Sequence, residues 1–370
     1  MKPATPVTRT RIIAPSLVAA AIPRNRLPRH QGQAWALDRA RRNPHKAAMI
    51  RRLAPILLLL AALPATVSVL AQDQGLDSAD RRLAQVAERL QAANVALCRQ
   101  HMPLTGLILF SADQYGRPDP VRFADGPLAV AQVLPGSPAH AAGIQANDAI
   151  VAIDGQAVAA LEPEQDHPLR DAAFARLADS GPGRPLELGL RRAGQDITAT
   201  LTPPPGCRAL VEVMAGADGI ARSDGRVIQI SWRFVAQWTD EELAAIVAHE
   251  LAHSVLEHRR RLEAAGVKTG FLGEFGRNRR LRRQVESEAD LLSVHLLANA
   301  GLDPYLAPRF WRSEAGQRMD AGVLRSGAYS APRQRAAAME AEIAAHLQGK
   351  PLPSRADHLL AGREVPYTER

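Results

Sequence analysis

The sequence predicts an α+β chain, a mainly helical half with a small edge-strand sheet preceded by a β-rich half. Three observations carry this. Between residues 102 and 203 the apolar residues come in short alternating runs broken by glycine and proline, which is the pattern of strands and turns. From Thr239 onward the runs lengthen and take helical spacing. Inside the first of those helices stands His249-Glu250-Leu251-Ala252-His253, two histidines four residues apart with a glutamate beside the first.

The chain has 370 residues, 46% of them apolar, enough for two or three domains with packed cores. Its net charge of +8 invites a nucleic-acid reading, but the distribution excludes it. Twelve of the 46 basic side chains and one of the 38 acidic ones lie in residues 1–71, which leaves the remainder at −3. The basicity belongs to the leader. Residues 1–48 read as a basic leader from a start assigned too early. Met49-Ile50-Arg51-Arg52 then makes a positive n-region, Leu53 to Leu63 an apolar stretch, and Val69-Leu70-Ala71 a small-residue cleavage site. Residues 49–71 therefore read as a signal peptide. The alternative is an uncleaved anchor over 53–71, against which Pro55, Pro64 and the cleavage-type ending weigh. Export to the periplasm or another outside compartment follows. The two cysteines, Cys98 and Cys207, both fall in the mature part, where an oxidising compartment lets them bridge.

Residues 76–98 have helical spacing in Leu76, Ala79, Leu83, Val86 and Leu90, with Arg81, Arg82, Glu88 and Arg89 on the other side. Strand-like Leu128–Val133 runs into the turn Pro135-Gly136-Ser137-Pro138, and one helical turn ends at Gly143. Asp148 to Ile153 is a buried strand, Asp171 to Ala178 a helix, and Leu186–Leu190 with Ile197–Leu201 a hairpin. The stretch Val133 to Gly155, with the strands after Gly183 and Arg192, resembles a PDZ domain of the kind associated with bacterial proteases. That resemblance implies capture of peptide C-termini by strand addition, with backbone amides receiving the carboxylate. By position the carboxylate loop is Leu104-Thr105-Gly106-Leu107. A PDZ that only packs against its neighbour is the competing reading.

Pro203-Pro204-Pro205-Gly206 reads as a stiff linker, Ala209 to Val213 as a strand, and Gly225 to Ser231 as an edge strand suited to holding an extended substrate. Thr239 with Glu242 three residues later forms a capping box, and the helix it opens extends to about Leu262. The arginines of 277–283 form a charged run that can attract an anionic membrane or an acidic substrate, with a solvated loop and helix start as the favoured reading. Helices follow over 284–300, 305–318 and 332–347, and 351–370 reads as a loose polar tail.

Histidines at i and i+4 share one helix face, with Cβ atoms about 5–6 Å apart, so both imidazoles can meet one metal ion. Glu250 lies about 100° round the helix, placed to act on water rather than to ligate. Catalytic zinc takes a third protein ligand. The candidate is Glu286 in Glu286-Ser287-Glu288-Ala289-Asp290, with Asp290 one turn on to orient a ligand histidine. Glu288 points elsewhere. These motifs together resemble the HtpX/Oma/BepA-type zinc metallopeptidases, related to the CaaX prenyl endopeptidases. The resemblance covers residues 209 to about 340. It implies one Zn2+ held by His249, His253 and Glu286, and a zincin-type domain that hydrolyses peptide bonds of misfolded or regulatory envelope proteins. Where many relatives have a His-Pro-x-x-x-x-Arg stretch, this chain has Tyr329-Ser330-Ala331-Pro332-Arg333-Gln334-Arg335, which makes Tyr329 a candidate to stabilise an oxyanion. On this reading the chain divides into a leader (1–48), a signal peptide (49–71), an N-terminal helix (72–101), a PDZ domain (102–206), a metallopeptidase domain (207–350) and a tail (351–370). The partners are protein or peptide substrates, with C-termini taken by the PDZ domain. The alternative function is a peptide-binding adaptor or holdase on an inactive protease fold.

Overall fold

The computed structural model describes residues 75–163, 168–181, 183–214, 221–223, 227–267, 276–317 and 331–367. The leader, the signal-peptide stretch and Tyr329 lie outside the described residues. Among the described residues no helix is long and apolar enough to cross a membrane.

The chain order begins with a helix over 75–93 (α1), a short strand His101–Pro103 (β1), and then Leu107–Ser111 (β2) and Leu128–Val133 (β3). A helical turn Pro138–Ala141 (α2), strands Ala149–Ile153 (β4) and Gln156–Ala157 (β5), and a helix Leu169–Asp179 (α3) follow. Strands Leu186–Arg192 (β6) and Gln195–Leu201 (β7) complete a sheet of order β2-β3-β4-β6-β7, with β5 paired to β4. The hairpin register runs from Leu186↔Leu201 to Arg192↔Gln195. Its turn puts Ala193 and Gly194 at positive φ, which suits a two-residue hairpin loop. The sheet wraps its own core of Leu128, Val130, Ile150, Ile153, Leu188 and Leu201.

The predicted linker is partly a strand. Pro205–Cys207 (β8) pairs antiparallel with β1, Met102 opposite Gly206. Cys98 and Cys207 are bonded across the base of this ribbon, with Cα atoms 5.5 Å apart. The ribbon and the disulfide therefore hold the two ends of the β-rich unit side by side.

Strands Leu210–Met214 (β9), Ala221–Ser223 (β10) and Val227–Ser231 (β11) form a second sheet of order β10-β11-β9. This corrects one expectation. The described part of the strand expected at 225–231, Val227–Ser231, is not an edge, because β9 pairs with it in parallel on one side and β10 antiparallel on the other. The edge beside the helices is β10. Helices Trp232–Gln237 (α4), Asp240–Val255 (α5), His258–Ala264 (α6), Gly276–Asn299 (α7), Leu306–Arg312 (α8) and Pro332–His346 (α9) complete this part.

The start of α5 follows local chemistry. The Thr239 hydroxyl accepts from the Glu242 amide at 3.2 Å, and the Glu242 carboxylate accepts from the Thr239 amide at 2.9 Å. Asp240, Glu241 and Glu242 in the first turn complement the helix dipole. Eleven of its 16 residues are buried, so α5 runs through the centre of the helical core. Burying Leu243, Ile246, Val247 and Leu251 contributes about 1.5–3 kcal/mol each. Leu83 and Leu90 of α1 lie in that same core, although the whole β-rich unit separates α1 from α5 in sequence.

Two further expectations change. The helix expected to reach Leu262 breaks at Glu257, which takes a left-handed conformation (φ 54°), and α6 restarts in a new direction. The segment 351–367 is packed rather than loose. It holds a turn of helix at Asp357–Leu360 (α10), its Ala356 and Tyr367 are buried, and the Tyr367 hydroxyl reaches Glu288 at 3.1 Å.

Candidate metal centre

The two histidines of α5 and Glu286 of α7 come together as their spacing anticipates. His249 Nε2 lies 3.3 Å from His253 Nε2 and 3.2 Å from Glu286 Oε2, and His253 Nε2 lies 3.7 Å from Glu286 Oε1. Ligands about 2.0–2.2 Å from a tetrahedral ion sit about 3.3–3.6 Å apart from one another. The three donor atoms thus stand at the edges a small divalent cation needs.

Each histidine is oriented from behind. Asp290 Oδ1 lies 3.0 Å from His249 Nδ1, approaching obliquely. Arg335 of α9 grips Asp290 with two bonds of 2.6 Å, and its guanidinium stacks 3.5 Å from the centroid of the Trp311 ring. On the other side, His258 Nδ1 is 2.9 Å from His253 Nδ1, and His258 Nε2 is 3.2 Å from Glu288 Oε2. Glu288 is held in turn by Arg261 at 2.6 Å. If His258 donates from Nε2 to Glu288, its Nδ1 accepts the Nδ1 proton of His253, and Nε2 of His253 is left with a lone pair facing the site.

The electrostatics ask for a positive charge. Burial works against ionised Glu286, yet His253, His249 and Arg335 outweigh it and hold the carboxyl down to about 2. Burial likewise opposes a charged His249, but Asp290 and Glu286 lift it to about 10. His253 is pushed down to about 3, burial being the main cause. Two carboxylates against one guanidinium thus recruit a proton onto His249, and a divalent cation held by His249, His253 and Glu286 would supply that charge in the proton's place. The donor set fits the cation on these grounds. Glu250, buried beside them, is raised to about 7, chiefly by burial and further by Glu286, with His249 and Arg335 pulling the other way.

A second group, His295, Glu342 and His358, behaves differently. Both Nε2 atoms meet the same Glu342 oxygen, at 2.9 and 2.6 Å, and His295 Nδ1 is 2.7 Å from Ser354 Oγ. These are hydrogen-bond lengths, shorter than the edges of a metal polyhedron. This network fastens α10 to α7 and α9.

An open cleft of about 540 Å³ leads to His253 past Arg99, Arg208, Arg260 and the disulfide. Thr105, Gly106 and Leu107 form the passage from β1 into β2 and do not line this cleft. Sequence reasoning assigned no role to His258, and named Arg335 only as the end of a motif. Asp290 was expected only to orient a ligand histidine, and its pairing with Arg335 emerges from the structure. Nothing pointed to His258, since on an unbroken helix it lies about 140° round from His253.

The β-rich unit is a PDZ domain in the region 129–192, which matches the family model described as a PDZ domain. The chain is also similar to the mitochondrial metalloendopeptidase OMA1 of Schizosaccharomyces pombe, at 31% identity over 24% of this chain and 30% of that protein. It thus spans under a third of the curated relative it matches. Among solved structures it is similar to the HtrA-type protease AlgW with decapeptide, at 21% identity over 28% of this chain and 30% of that one. The TM-score is 0.21, from which no shared fold follows.

Proposed function

We propose that this chain is a zinc-dependent endopeptidase of the cell envelope with a PDZ domain attached. The observation that carries the proposal is the convergence of His249 Nε2, His253 Nε2 and a Glu286 oxygen at 3.2–3.7 Å. Similarity to a metalloendopeptidase supports it. His249, His253 and Glu286 would hold the ion, and bound zinc would polarise the scissile carbonyl and make water a stronger acid. Asp290 with Arg335, and His258 with Glu288, keep the two imidazoles aimed. Glu250 takes a proton from the attacking water and passes it to the leaving amine. A carboxyl lifted toward neutrality by burial is suited to both transfers, and a nearby dication would draw it down again. The edge of β10 is available for an extended substrate to pair with. Tyr329 is proposed on the oxyanion side. Residues 102–206 are the PDZ domain and 207–350 the peptidase domain on this reading, and export is proposed from the leader and the disulfide.

The test is cleavage of casein by the full mature chain with and without a chelator, together with zinc content. Wild type should cleave, lose activity to the chelator and regain it with zinc. Glu250→Gln should keep its zinc and lose cleavage. The PDZ domain favours a second reading, a peptide-binding adaptor. Peptide binding without chelator-sensitive cleavage would select it.

A further inference from the structure

The PDZ loop is already in contact with a carboxylate. The Gly106 amide donates to Glu88 Oε1 at 2.9 Å, and Glu88 belongs to α1, not to the PDZ unit. The loop is built to hold that amide in place. Gly106 sits at φ +75°, and a Cβ there would lie 2.1 Å from Ser137 Cβ, so no other residue fits. The neighbouring carbonyls are spent inside the unit, Gly106 O on the Leu134 amide and Thr105 O on the Ala139 amide. The amide of Gly106 is turned outward to α1.

Beyond the loop, β2 is the end strand of its sheet. Between β2 and α3 lies an apolar cavity whose walls include Leu107, Leu109, Phe174 and Leu177. α1 closes it from outside with Ala84 and Ala87, and β9 closes one end. Its volume is about 90 Å³, below the ~150 Å³ that admits a benzene molecule. A side chain could fit, but a peptide strand could not. Strand addition with backbone amides receiving a terminal carboxylate is the way such a groove binds peptide. Glu88 sits where that carboxylate would sit.

We propose that Glu88 is an internal stand-in for a peptide C-terminus, and that a polypeptide with a free α-carboxylate and an apolar last residue enters the groove only by displacing it. α1 is fixed to the helical core. Arg82 donates to Val235 O and Trp238 O at 2.8 and 2.7 Å, Arg89 to Ala300 O at 3.0 Å, and Asn94 to Leu296 O at 3.0 Å. The PDZ unit is therefore the part that moves. It is joined to the rest by the β1–β8 ribbon, by the apolar walls it shares with α1 and β9, and by polar contacts, among them Arg81 to Gln132, Arg208 to Asp179, and Arg170 to Glu212. A mixed interface of this kind between domains of one chain permits relative motion. Burial raises the Glu88 carboxyl against the pull of the Gly106 amide, so its ionised form is held at a cost that an incoming carboxylate can exploit. The inference rests on the PDZ domain and the Glu88 contact and does not depend on metal or on proteolysis.

The test uses the full mature chain and a fluorescein-labelled pool of degenerate heptapeptides ending in Ala, Val, Leu or Phe, as free acids and as C-terminal amides. In wild type only the small fraction with the groove open is competent. Glu88→Ala should therefore bind the acid pool at least about 10-fold more tightly than wild type, with the amide pool weak in both. Glu88→Gln, which keeps the side chain's volume and drops its charge, should fall between them and guards against a folding defect in the alanine variant. Saturating acid peptide should also speed hydrogen exchange over 84–91 of wild type. Equal affinity of wild type and both variants, equal binding of acid and amide pools, or no binding by any folded variant overturns the proposal.

Discussion

Arg335 and Asp290 form a bidentate pair with both bonds at 2.6 Å, both side chains buried, and His249 3.0 Å behind the carboxylate. The pair joins α9 to α7 beside His249 of the candidate metal centre. Arg335→Met removes the guanidinium that grips Asp290 and leaves a buried carboxylate facing His249. Stability should fall by about 3–5 kcal/mol, read by urea denaturation. The double variant Asp290→Asn/Arg335→Met should recover part of that loss.

His258 Nδ1 lies 2.9 Å from His253 Nδ1, so with His258 donating to Glu288 it fixes the tautomer of His253. His258→Ala should weaken zinc binding about 10- to 100-fold, measured by competition with a chromophoric chelator. Glu288→Gln should have a smaller effect in the same direction, because the imidazole stays in place. Unchanged affinity in both variants would remove His258 from the site.

Asp80 on α1 gives a pH dependence away from the metal. Its carboxyl is buried and raised to about 7, chiefly by desolvation and further by Asp77 and Glu212, against the Val213 amide and Arg170. The folded state therefore binds this proton more tightly than the unfolded chain, whose value is near 3.8. Stability from this group is full below about pH 4 and is lost as pH rises to about 7. Asp80→Asn should be more stable than wild type at pH 8, by an amount on the order of 2–4 kcal/mol, with the difference shrinking toward pH 4. Paired urea titrations at the two pH values read it out.

The disulfide spans 109 positions. Loss of the cross-link, by Cys98→Ser with Cys207→Ser, should cost up to about 4–5 kcal/mol in the loop-entropy account. Denaturant midpoints of wild type with and without reductant, compared with the double variant, check it. The reduced wild type should coincide with the variant.

Much of the candidate metal centre was legible because it is local. A capping box at Thr239 and Glu242, histidines one turn apart, and Glu286 and Asp290 one turn apart each depend on the period of a single helix. What was not legible depends on chain reversals. The left-handed residue Glu257 bears no sequence mark of its conformation, being neither glycine nor asparagine, and without that break His258 would miss His253. The position of the strand at 227–231 depends on a three-residue partner, β10, too short to show a period. The tail was misjudged because its polar composition hides Tyr367 and Ala356, which pack against residues far away in sequence. The same holds for Glu88, which looked like one charge on a solvated helix face until its carboxylate met Gly106.

The helix α1 shares a core with α5 while the whole PDZ unit intervenes in the chain. On a ribosome the two must wait for each other. The PDZ unit closes its sheet with contacts inside 107–201 and is complete before the Thr239 segment has been made. α1 emerges first and is finished late, with its apolar face unpaired through the synthesis of more than a hundred residues. Chains folding from the N-terminus in this way expose such a face to chaperones or to premature association. Lying on the completed PDZ unit through Ala84, Ala87 and Glu88 would still leave Leu83 and Leu90 uncovered, so that face waits for the helical core to be made.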